Sequence, residues 1–187
     1  MEARVAAAIA RLERFMAGVD DAWPLPPDAG RFVHAMILAA GFKRGLEIGT
    51  SYGYSGLWIA SALAENGGTL ITIDHDARKT EAARSAFAAA GLIERVDVLT
   101  GEASAVLQTI SGPIDFVLND ADKENCIAYV ETVAHRLSDR AVVMTDNTIT
   151  HAAKLAEFLA WIRHRCDFFS AHVPVGNGME LSVKRTG

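Results

Sequence analysis

Apolar residues along the chain fall into two alternating patterns, short strand-like runs and longer stretches with helical spacing. The strand-like runs lie at 45–48, 69–73, 96–99, 114–118 and 141–145. The helical stretches follow them, around 56–65, 77–90, 102–110, 124–137 and 151–165. Five strands that are each followed by a helix predict a parallel sheet with helices on both faces.

Two further strand-like runs, 168–173 and 179–184, close the pattern. The turn between them, 174–178, is too short to hold a helix, so we expect the two strands to be antiparallel neighbours. The chain shows no internal repeat, low-complexity segment or linker. The pattern therefore predicts a single α/β domain over 1–187, with a seven-stranded, mostly parallel sheet whose last strand is antiparallel.

Two helices are predicted before the first strand. The first carries one apolar stripe, made of Val5, Ile9, Leu12, Met16 and Val19. This stripe packs either on the domain itself or on a second subunit, and the sequence favours neither. Prolines at 24, 26 and 27 end that helix, and a second helix, from 32 to a stop at Gly41, leads into the sheet. We interpret the whole N-terminal region as part of the mature fold and not as a transit peptide, because it carries Glu2 and Glu13.

Composition narrows the possible partners. The chain has 187 residues, is 50% hydrophobic and has a formal net charge of -5 with mixed signs, which argues against nucleic acid as a partner. No apolar run reaches membrane-spanning length. The two cysteines, Cys126 and Cys166, form no C-x-x-C or Cys/His cluster and are predicted to be free, buried thiols of a cytoplasmic protein.

The first strand runs into a glycine-containing turn, with the sequence RGLEIGTSYGYSG over 44–56. Gly49 and Gly53 let the backbone approach a ligand, and Ser55 is placed to offer its hydroxyl to the first amides of the next helix. The turn lacks the G-x-G-x-x-G dinucleotide fingerprint, because Ser51 stands where the second glycine is needed. Glu47 suits a cationic ligand.

The second and third strands also end in candidate ligand-binding residues. An acidic residue at the end of the second strand, Asp74, is placed either to bind both hydroxyls of a ribose or to cap the next helix. The tripeptide 101–103 follows the third strand and is able to set backbone groups against a purine. Ligands of an open α/β sheet bind at these carboxyl ends, beside the point where the strand order reverses.

The fourth and fifth strands end in oxygen-bearing side chains, Asp120 on one and Asp146 with Asn147 on the other. Adjacent strands lie about 4.8 Å apart, so these carboxylates would repel each other unless a cation lies between them. Oxygen ligands without sulfur or imidazole favour Mg²⁺, Mn²⁺ or Ca²⁺. The alternative is that they cap the following helices. For Lys123, the alternative to chemistry is a surface ion pair with Asp122 or Glu124.

Taken together, the motifs resemble one family. The motifs, in chain order, are LEIGTSYGYSG, TIDHD, TGEA, IDFVLNDADKEN, TDNT and VPVGNGMELSVKR. The chain resembles the cation-dependent O-methyltransferases of the catechol and caffeoyl-CoA type, in the same order and spacing from about Pro24 to Arg185. The resemblance implies a Rossmann-like class I methyltransferase fold that takes S-adenosylmethionine as methyl donor and a divalent cation, Mg²⁺ before Mn²⁺ or Ca²⁺.

The resemblance also implies a role for each matching residue. Donor-binding positions are Glu47, Gly49, Thr50, Ser55, Asp74 for the ribose, Ala103 for the adenine, and Asp120 and Asp122 beside the donor. The metal ligands would be Asp120, Asp146 and Asn147, and Lys123 matches the proposed base. The implied acceptor is a small molecule with a catechol-like or natural-product hydroxyl, and the implied assembly is a homodimer.

Three features depart from the family pattern, at Asn119, at Leu25 and in the segment after Asn147. Asn119 stands where an aliphatic residue is usual and needs a hydrogen-bond partner if buried. Leu25 replaces a serine or threonine near the donor. The segment after Asn147 enters a helix almost at once, where relatives carry a longer loop that covers the acceptor. His151 lies near that region and either contacts the acceptor or metal or faces solvent.

Three aromatic residues, Trp23, Tyr52 and Tyr54, either shape the acceptor pocket or pack within the domain. Two other functions stay open at this point. One is a donor-binding protein without catalysis, and the other is a nucleotide-dependent oxidoreductase.

Overall fold

The structure is a computed structural model and describes residues 2–186. Its helices are α1 Ala3–Met16, α2 Pro27–Ala40, α3 Tyr54–Glu65, α4 Ala77–Ala90, α5 Ala103–Thr109, α6 Cys126–Ala134 and α7 Ala152–His164. Its strands are β1 Arg44–Ile48, β2 Thr69–Asp74, β3 Val96–Thr100, β4 Ile114–Asn119, β5 Leu137–Asp146, β6 Phe168–Val173 and β7 Met179–Lys184.

The seven strands form one sheet in the order β3-β2-β1-β4-β5-β7-β6. The first five strands pair in parallel, and β7 is antiparallel to both β5 and β6. This arrangement confirms the predicted sheet. The chain adds β2 and β3 on one side of β1 and then places β4 on the other side, so the strand order reverses between β1 and β4.

Each face of the sheet is buried by its own group of helices. Helices α1 to α4 cover one face, around core residues such as Ile37, Leu57 and Phe87. Helices α5 to α7 cover the other, around residues such as Leu107 and Phe158. Because side chains alternate between the two faces along a strand, each strand residue can be assigned to one helix layer.

The apolar stripe of α1 packs on its own domain. Four of its members, Val5, Ile9, Leu12 and Met16, are buried in the core shared with α3 and α4. The Tyr54 hydroxyl on α3 donates to Glu13 Oε1 at 2.7 Å and fixes the helix from its polar side. The stripe is therefore covered without a second subunit, and the homodimer stays a prediction.

The predicted boundary between the sixth helix and the fifth strand was wrong. The helix ends at Ala134, and β5 begins at Leu137, four residues before the predicted start at 141. Leu137 pairs with Ile114, but the register shifts before Phe116 pairs with Val142. Arg140, at φ +61°, lies in this irregular stretch. The polar residues 138–140 thus lie inside one continuous strand. Because they break the apolar pattern, the sequence does not reveal the first half of that strand.

Both cysteines are free, as predicted. Cys126 is buried, but Cys166 is exposed, so the prediction of two buried thiols was wrong for the second. Within 2–186 no helix is long and apolar enough to cross a membrane.

Candidate functional site

The crevice at the carboxyl ends of β1 and β4 is formed by close backbone contact. Gly49 has φ +105°, and a Cβ built there would lie 2.6 Å from the carbonyl oxygen of Asp120. Gly53 has φ +87°, and a Cβ there would lie 3.1 Å from the Cβ of Ala83. The structure thus accounts for both glycines by contacts within the protein, since any side chain would force the β1 loop away from its neighbours.

Glu47 lies at the floor of the crevice, fully buried on β1. The Thr72 hydroxyl donates to Glu47 Oε2 at 2.6 Å, and the Thr50 hydroxyl lies 2.5 Å from the Thr72 oxygen. Because the Thr72 proton goes to Glu47, Thr50 must donate to Thr72. Burial raises the pKa of Glu47 to about 7, and the charges of Asp120 and Asp74 add to that effect.

Ser55 takes a different role from the predicted one. Helix α3 begins after Gly53, and no side chain caps it. The Ser55 hydroxyl instead interacts with Glu47 and lowers the pKa of that carboxyl against the larger effect of burial. The predicted helix-capping role was wrong because Ser55 lies inside the first turn, with its hydroxyl directed at the carboxylate.

Asp74, at the end of β2, joins two loops of the crevice. Its Oδ2 accepts from the amide of Ser51 at 2.7 Å, and its Oδ1 accepts from the amide of Asp76 at 3.0 Å. The cap of α4 is Asp76, whose side chain accepts from the amides of Arg78 and Lys79. The capping alternative for Asp74 was therefore wrong, and its role toward a ribose stays a prediction.

The predicted purine-binding tripeptide lies directly beside Asp74. The amide of Gly101 donates to the Asp74 carbonyl at 2.9 Å. Glu102 is the residue before α5 and makes no side-chain cap, and Ala103 opens that helix. The fold thus brings the candidate ribose and adenine positions together on the ends of β2 and β3.

The cation candidates lie at the ends of β4 and β5. Asn119 pairs with Thr145 in the sheet, so Asp120 and Asp146 follow at neighbouring strand ends. Asp146 is 1% exposed, and its Oδ2 accepts from the Asn147 side-chain amide at 2.8 Å. Burial first, and then the charge of Asp120, raises the pKa of Asp146 to about 7. This is the electrostatic repulsion that the sequence predicts.

The capping alternative fails for these residues too. His151 is the residue before α7, and no side chain caps that helix. Asp122, and not Asp120, caps the short 3-10 helix that precedes α6, accepting from the Asn125 amide at 3.1 Å. The second Asp122 oxygen accepts from the Tyr129 hydroxyl at 2.5 Å. Asp122 is thus held within its own loop.

Lys123 is turned inward. Its side chain is 10% exposed, and its Nζ donates to Asp120 Oδ1 at 2.8 Å. The predicted surface pair with Asp122 or Glu124 was wrong, and Glu124 lies near Lys154 instead. The ammonium of Lys123 lowers the pKa of both Asp120 and Asp146, although burial still raises each above its ordinary value.

The candidate oxygen ligands suit a hard divalent cation only if the side-chain carbonyl of Asn147 is counted among them. Among residues 2–186 no group of three or more His, Cys, Asp or Glu side chains is arranged to hold a metal ion. Asp120 and Asp146 supply two carboxylates, and Asn147 would complete the set through its carbonyl oxygen. One carboxylate oxygen of Asp146 is buried and has no partner in the described chain, which is the state that a cation would relieve.

Unpartnered buried polar atoms gather at this edge of the sheet. In the described part of the chain they are Glu47 Oε1, Asn119 Oδ1, Thr145 Oγ1, Asp146 Oδ1, Thr148 Oγ1 and Trp58 Nε1. The first five belong to β1, to the ends of β4 and β5, and to the loop after β5. Such atoms are costly when left unbonded, so this edge is built to receive polar ligand groups.

Sequence reasoning missed two of the supporting residues. Thr72 bonds Glu47, and Tyr129 bonds Asp122. The signal for Thr72 was a polar residue at the centre of an apolar strand run, 69–73. Tyr129 carried no such signal, because its partner is set by the packing of α6.

The covering segment after Asn147 is short, as predicted. A turn of four residues, 148–151, connects β5 to α7. It is bonded to the β6–β7 turn, with the Thr148 amide donating to Gly178 O at 3.0 Å and the Ile149 amide to Asn177 O at 2.9 Å. Ile149 is 54% exposed.

Several positions near the crevice are now placed. Tyr52 and Tyr54 are buried and pack within the domain, whereas Trp23 is 83% exposed. Leu25 is buried in the core around α2 and α3. His151 is exposed, and a positive charge on its ring would lower the pKa of Asp120.

The sheet order, the antiparallel β7 and the crevice between β1 and β4 define the class I methyltransferase fold. Two solved structures share it. The O-methyltransferase from Bacillus cereus, in complex with SAH, has a TM-score of 0.84 and 25% identity, over 99% of this chain and 92% of that one. The O-methyltransferase TomG from Streptomyces achromogenes, involved in tomaymycin synthesis and solved with SAM, has a TM-score of 0.82 and 27% identity, over 100% and 91%.

Within this class the chain belongs to the O-methyltransferase family, whose profile matches residues 8–159. The catechol O-methyltransferase of Mycobacterium tuberculosis is 36% identical over 129 residues, which cover 68% of this chain. Caffeoyl-CoA O-methyltransferase 1 of Zea mays is 31% identical over 178 residues, which cover 82% of this chain and 69% of the maize protein. The chain spans 58% of the length of the mycobacterial relative. The family predicted from the motifs is confirmed.

Proposed function

We propose that this chain transfers the methyl group of S-adenosylmethionine to a hydroxyl of a small molecule, with a divalent cation at Asp120, Asp146 and Asn147. The observation that carries the proposal is the row of buried, unpartnered oxygens along one sheet edge, which begins at Glu47 and ends beyond Asp146. One end of the row suits a cationic amine, and the other suits a metal ion. Two relatives are named catechol O-methyltransferase and caffeoyl-CoA O-methyltransferase, and these names support methyl transfer to a hydroxyl.

S-adenosylmethionine, when bound, supplies a methyl group on a positively charged sulfur. Glu47, once ionised, would accept from the ammonium at its methionine end, because its Oε1 is buried and has no other partner among residues 2–186. Gly49, Thr50 and Ser55 form the adjoining turn. Asp74 and Ala103 lie where the ribose and adenine would bind. The site would hold the donor mainly by polar groups that are already fixed in place.

A divalent cation, when bound, lowers the pKa of a hydroxyl that it contacts. The protein's part is to hold two carboxylates and an amide oxygen at neighbouring strand ends, beside the donor crevice. This placement would bring an acceptor hydroxyl next to the donor, and such alignment is a large part of what an enzyme contributes to a displacement reaction. We infer Mg²⁺ first, with Mn²⁺ or Ca²⁺ as substitutes.

Lys123 is placed to accept the proton of the acceptor hydroxyl at its Nζ. In the structure its Nζ donates to Asp120 Oδ1 at 2.8 Å. A cation that takes over the Asp120 carboxylate would remove this counter-charge and favour the neutral amine. Partial burial of the lysine acts in the same direction. The same residue would then serve as a general base.

The acceptor side supports a small molecule with an accessible hydroxyl. The turn 148–151 is short, and Ile149 within it is 54% exposed. We infer a catechol-like or other natural-product acceptor. The homodimer and the cytoplasmic location remain proposals, and light scattering coupled to gel filtration would test the first.

Donor binding and chemistry are tested separately. Isothermal titration with S-adenosylmethionine, SAH and NADH should show binding of the first two and none of the third. Methyl transfer to an aromatic vicinal diol should require Mg²⁺ and cease in excess chelator. Donor binding without transfer to any hydroxyl acceptor would indicate a binding protein, and NADH binding would indicate an oxidoreductase.

A further inference from the structure

Two polar side chains, Asn119 and Thr145, lie directly beneath the cation ligands. Asn119 precedes Asp120 and Thr145 precedes Asp146, and the two are paired neighbours on β4 and β5. Both face the α5–α7 layer and are at most 1% exposed. They form an isolated polar pair on a sheet face that is otherwise apolar at this point, where it is lined by Val117, Val143 and Ile48.

The hydrogen bonds of this pair are incomplete. Asn119 Nδ2 donates to the carbonyl of Cys126 at 3.3 Å, but Asn119 Oδ1 and Thr145 Oγ1 have no partner in the described chain. The neighbouring carboxylate, Glu180, is held bidentately by Arg163 at 2.7 and 2.6 Å. The two residues that carry these unbonded atoms are therefore direct neighbours across the β4–β5 pair.

Their chemistry is complementary. An amide oxygen only accepts, whereas a hydroxyl both donates and accepts. Neighbouring strands are about 4.8 Å apart, which is a span that one water molecule bridges with two hydrogen bonds. Buried waters typically bond to such otherwise unpaired groups.

We propose that Asn119 and Thr145 share one ordered water and act as positioning residues for Asp120 and Asp146. The water would join the two strand ends, and the bond from Asn119 to Cys126 would close the 120–125 loop that carries Lys123. The positioning role rests on the proposed cation site, but the water does not. The role would be specific to sequences with a polar residue at both positions.

The water is tested by a crystal structure of the wild-type protein at high resolution, together with Asn119→Leu, Thr145→Val and the double variant. Each single variant leaves the polar atom of the other residue without its partner, and Asn119→Leu also removes the donor to the Cys126 carbonyl. Each should lower the Tm by about 3 °C. The double variant removes both atoms and should lose clearly less than the sum of the two single losses. A crystal without a water between the two side chains, or additive losses, would overturn the proposal.

The positioning role needs a measurement that packing alone would not change. Mn²⁺ affinity, titrated with SAH present, should fall about tenfold in each single variant, while SAH affinity stays within about twofold. Ser182→Ala is the matched control, since Ser182 is buried on the same sheet face and its hydroxyl is bonded to Ser170 at 2.8 Å. It should lower the Tm without changing Mn²⁺ affinity.

The two failures are distinguishable. If wild-type protein binds Mn²⁺ but neither single variant weakens that binding, the positioning role is wrong. If wild-type protein binds no divalent ion, the proposed cation site is wrong, and the crystal and the Tm comparison still decide the water. Should Asn119→Leu fail to fold, Thr145→Val and the wild-type crystal suffice.

Discussion

The donor half and the cation half of the crevice are built differently. On β1 and β2 the acidic groups are already bonded, Glu47 to Thr72 and Asp74 to two backbone amides. On β4 and β5 the charge of Asp120 raises the pKa of the buried Asp146, and the charge of Lys123 opposes that effect. The first half is preorganised by hydrogen bonds, and the second is left with an electrostatic cost that a cation removes. Donor binding should therefore survive changes that stop the chemistry.

The largest effect is expected for Asp146→Ala. Methyl transfer should fall below detection because the cation loses its most buried carboxylate, whereas SAH affinity should stay within about twofold. Kinetics with Mg²⁺ and calorimetry with SAH measure the two. The control is Asp97→Ala, an exposed carboxylate on the edge strand β3. Wild-type turnover in the Asp146 variant, or in a chelated sample of wild-type protein, would contradict the cation's role.

Lys123→Met should change turnover and cation binding in opposite directions. Loss of the base should slow turnover by about 100-fold. Removal of the ammonium from Asp120 should at the same time tighten Mn²⁺ binding, because a competing positive charge is gone. Stopped-flow rates and calorimetry check both. Lys154→Met is the matched control, since that lysine is largely exposed and pairs only with Glu124. An unchanged rate would exclude Lys123 as base.

Glu47→Gln tests the donor half alone. Replacing the carboxylate by an amide of the same shape should weaken SAH binding by about tenfold or more, since a charge-assisted bond to the ammonium is lost. Mn²⁺ affinity should stay the same. Calorimetry of both ligands on one protein sample is sufficient. Equal loss for donor and cation would show that the two halves are not separable.

The smallest effect concerns pH. The pKa of Glu47 is raised to about 7, so SAH affinity should rise as pH increases through 7, by about tenfold between pH 6 and 8. The stabilising effect of the neutral carboxyl is complete below its unfolded pKa and is lost as pH rises through about 7. The ligand-free Tm of wild-type protein should therefore fall relative to Glu47→Gln as pH rises from about 4.5 to about 7, and the difference should then stay level. A flat difference between the two proteins would indicate a carboxyl that is ionised throughout.

Much of the fold was predictable because strand and helix spacing alternate so regularly. The start of β5 was not, because Arg140 and its polar neighbours interrupt the apolar pattern inside a strand. In the site, residue type and order were enough to single out Glu47, Asp74 and the ends of β4 and β5 as candidates. The family resemblance had also singled out Lys123 as a candidate base, but its bond to Asp120 was not predicted, because it depends on which carboxylate lies across the loop.

The same limit applies to the supporting contacts. Ser55 was predicted to cap a helix, but the burial of Glu47 directs its hydroxyl elsewhere. The need of Asn119 for a partner was predicted, yet only its amide nitrogen has one among the described residues. These hydrogen bonds join residues that are distant in the sequence, so the sequence alone does not predict them.

The contact between Gly49 and Asp120 has a consequence for how this protein can diverge. The atom that a side chain at 49 would strike is a main-chain carbonyl oxygen, which every residue type carries. No substitution at position 120 can therefore make room for a side chain at position 49. Changes of side-chain size are easier at exposed positions, such as Ile149 in the turn after Asn147.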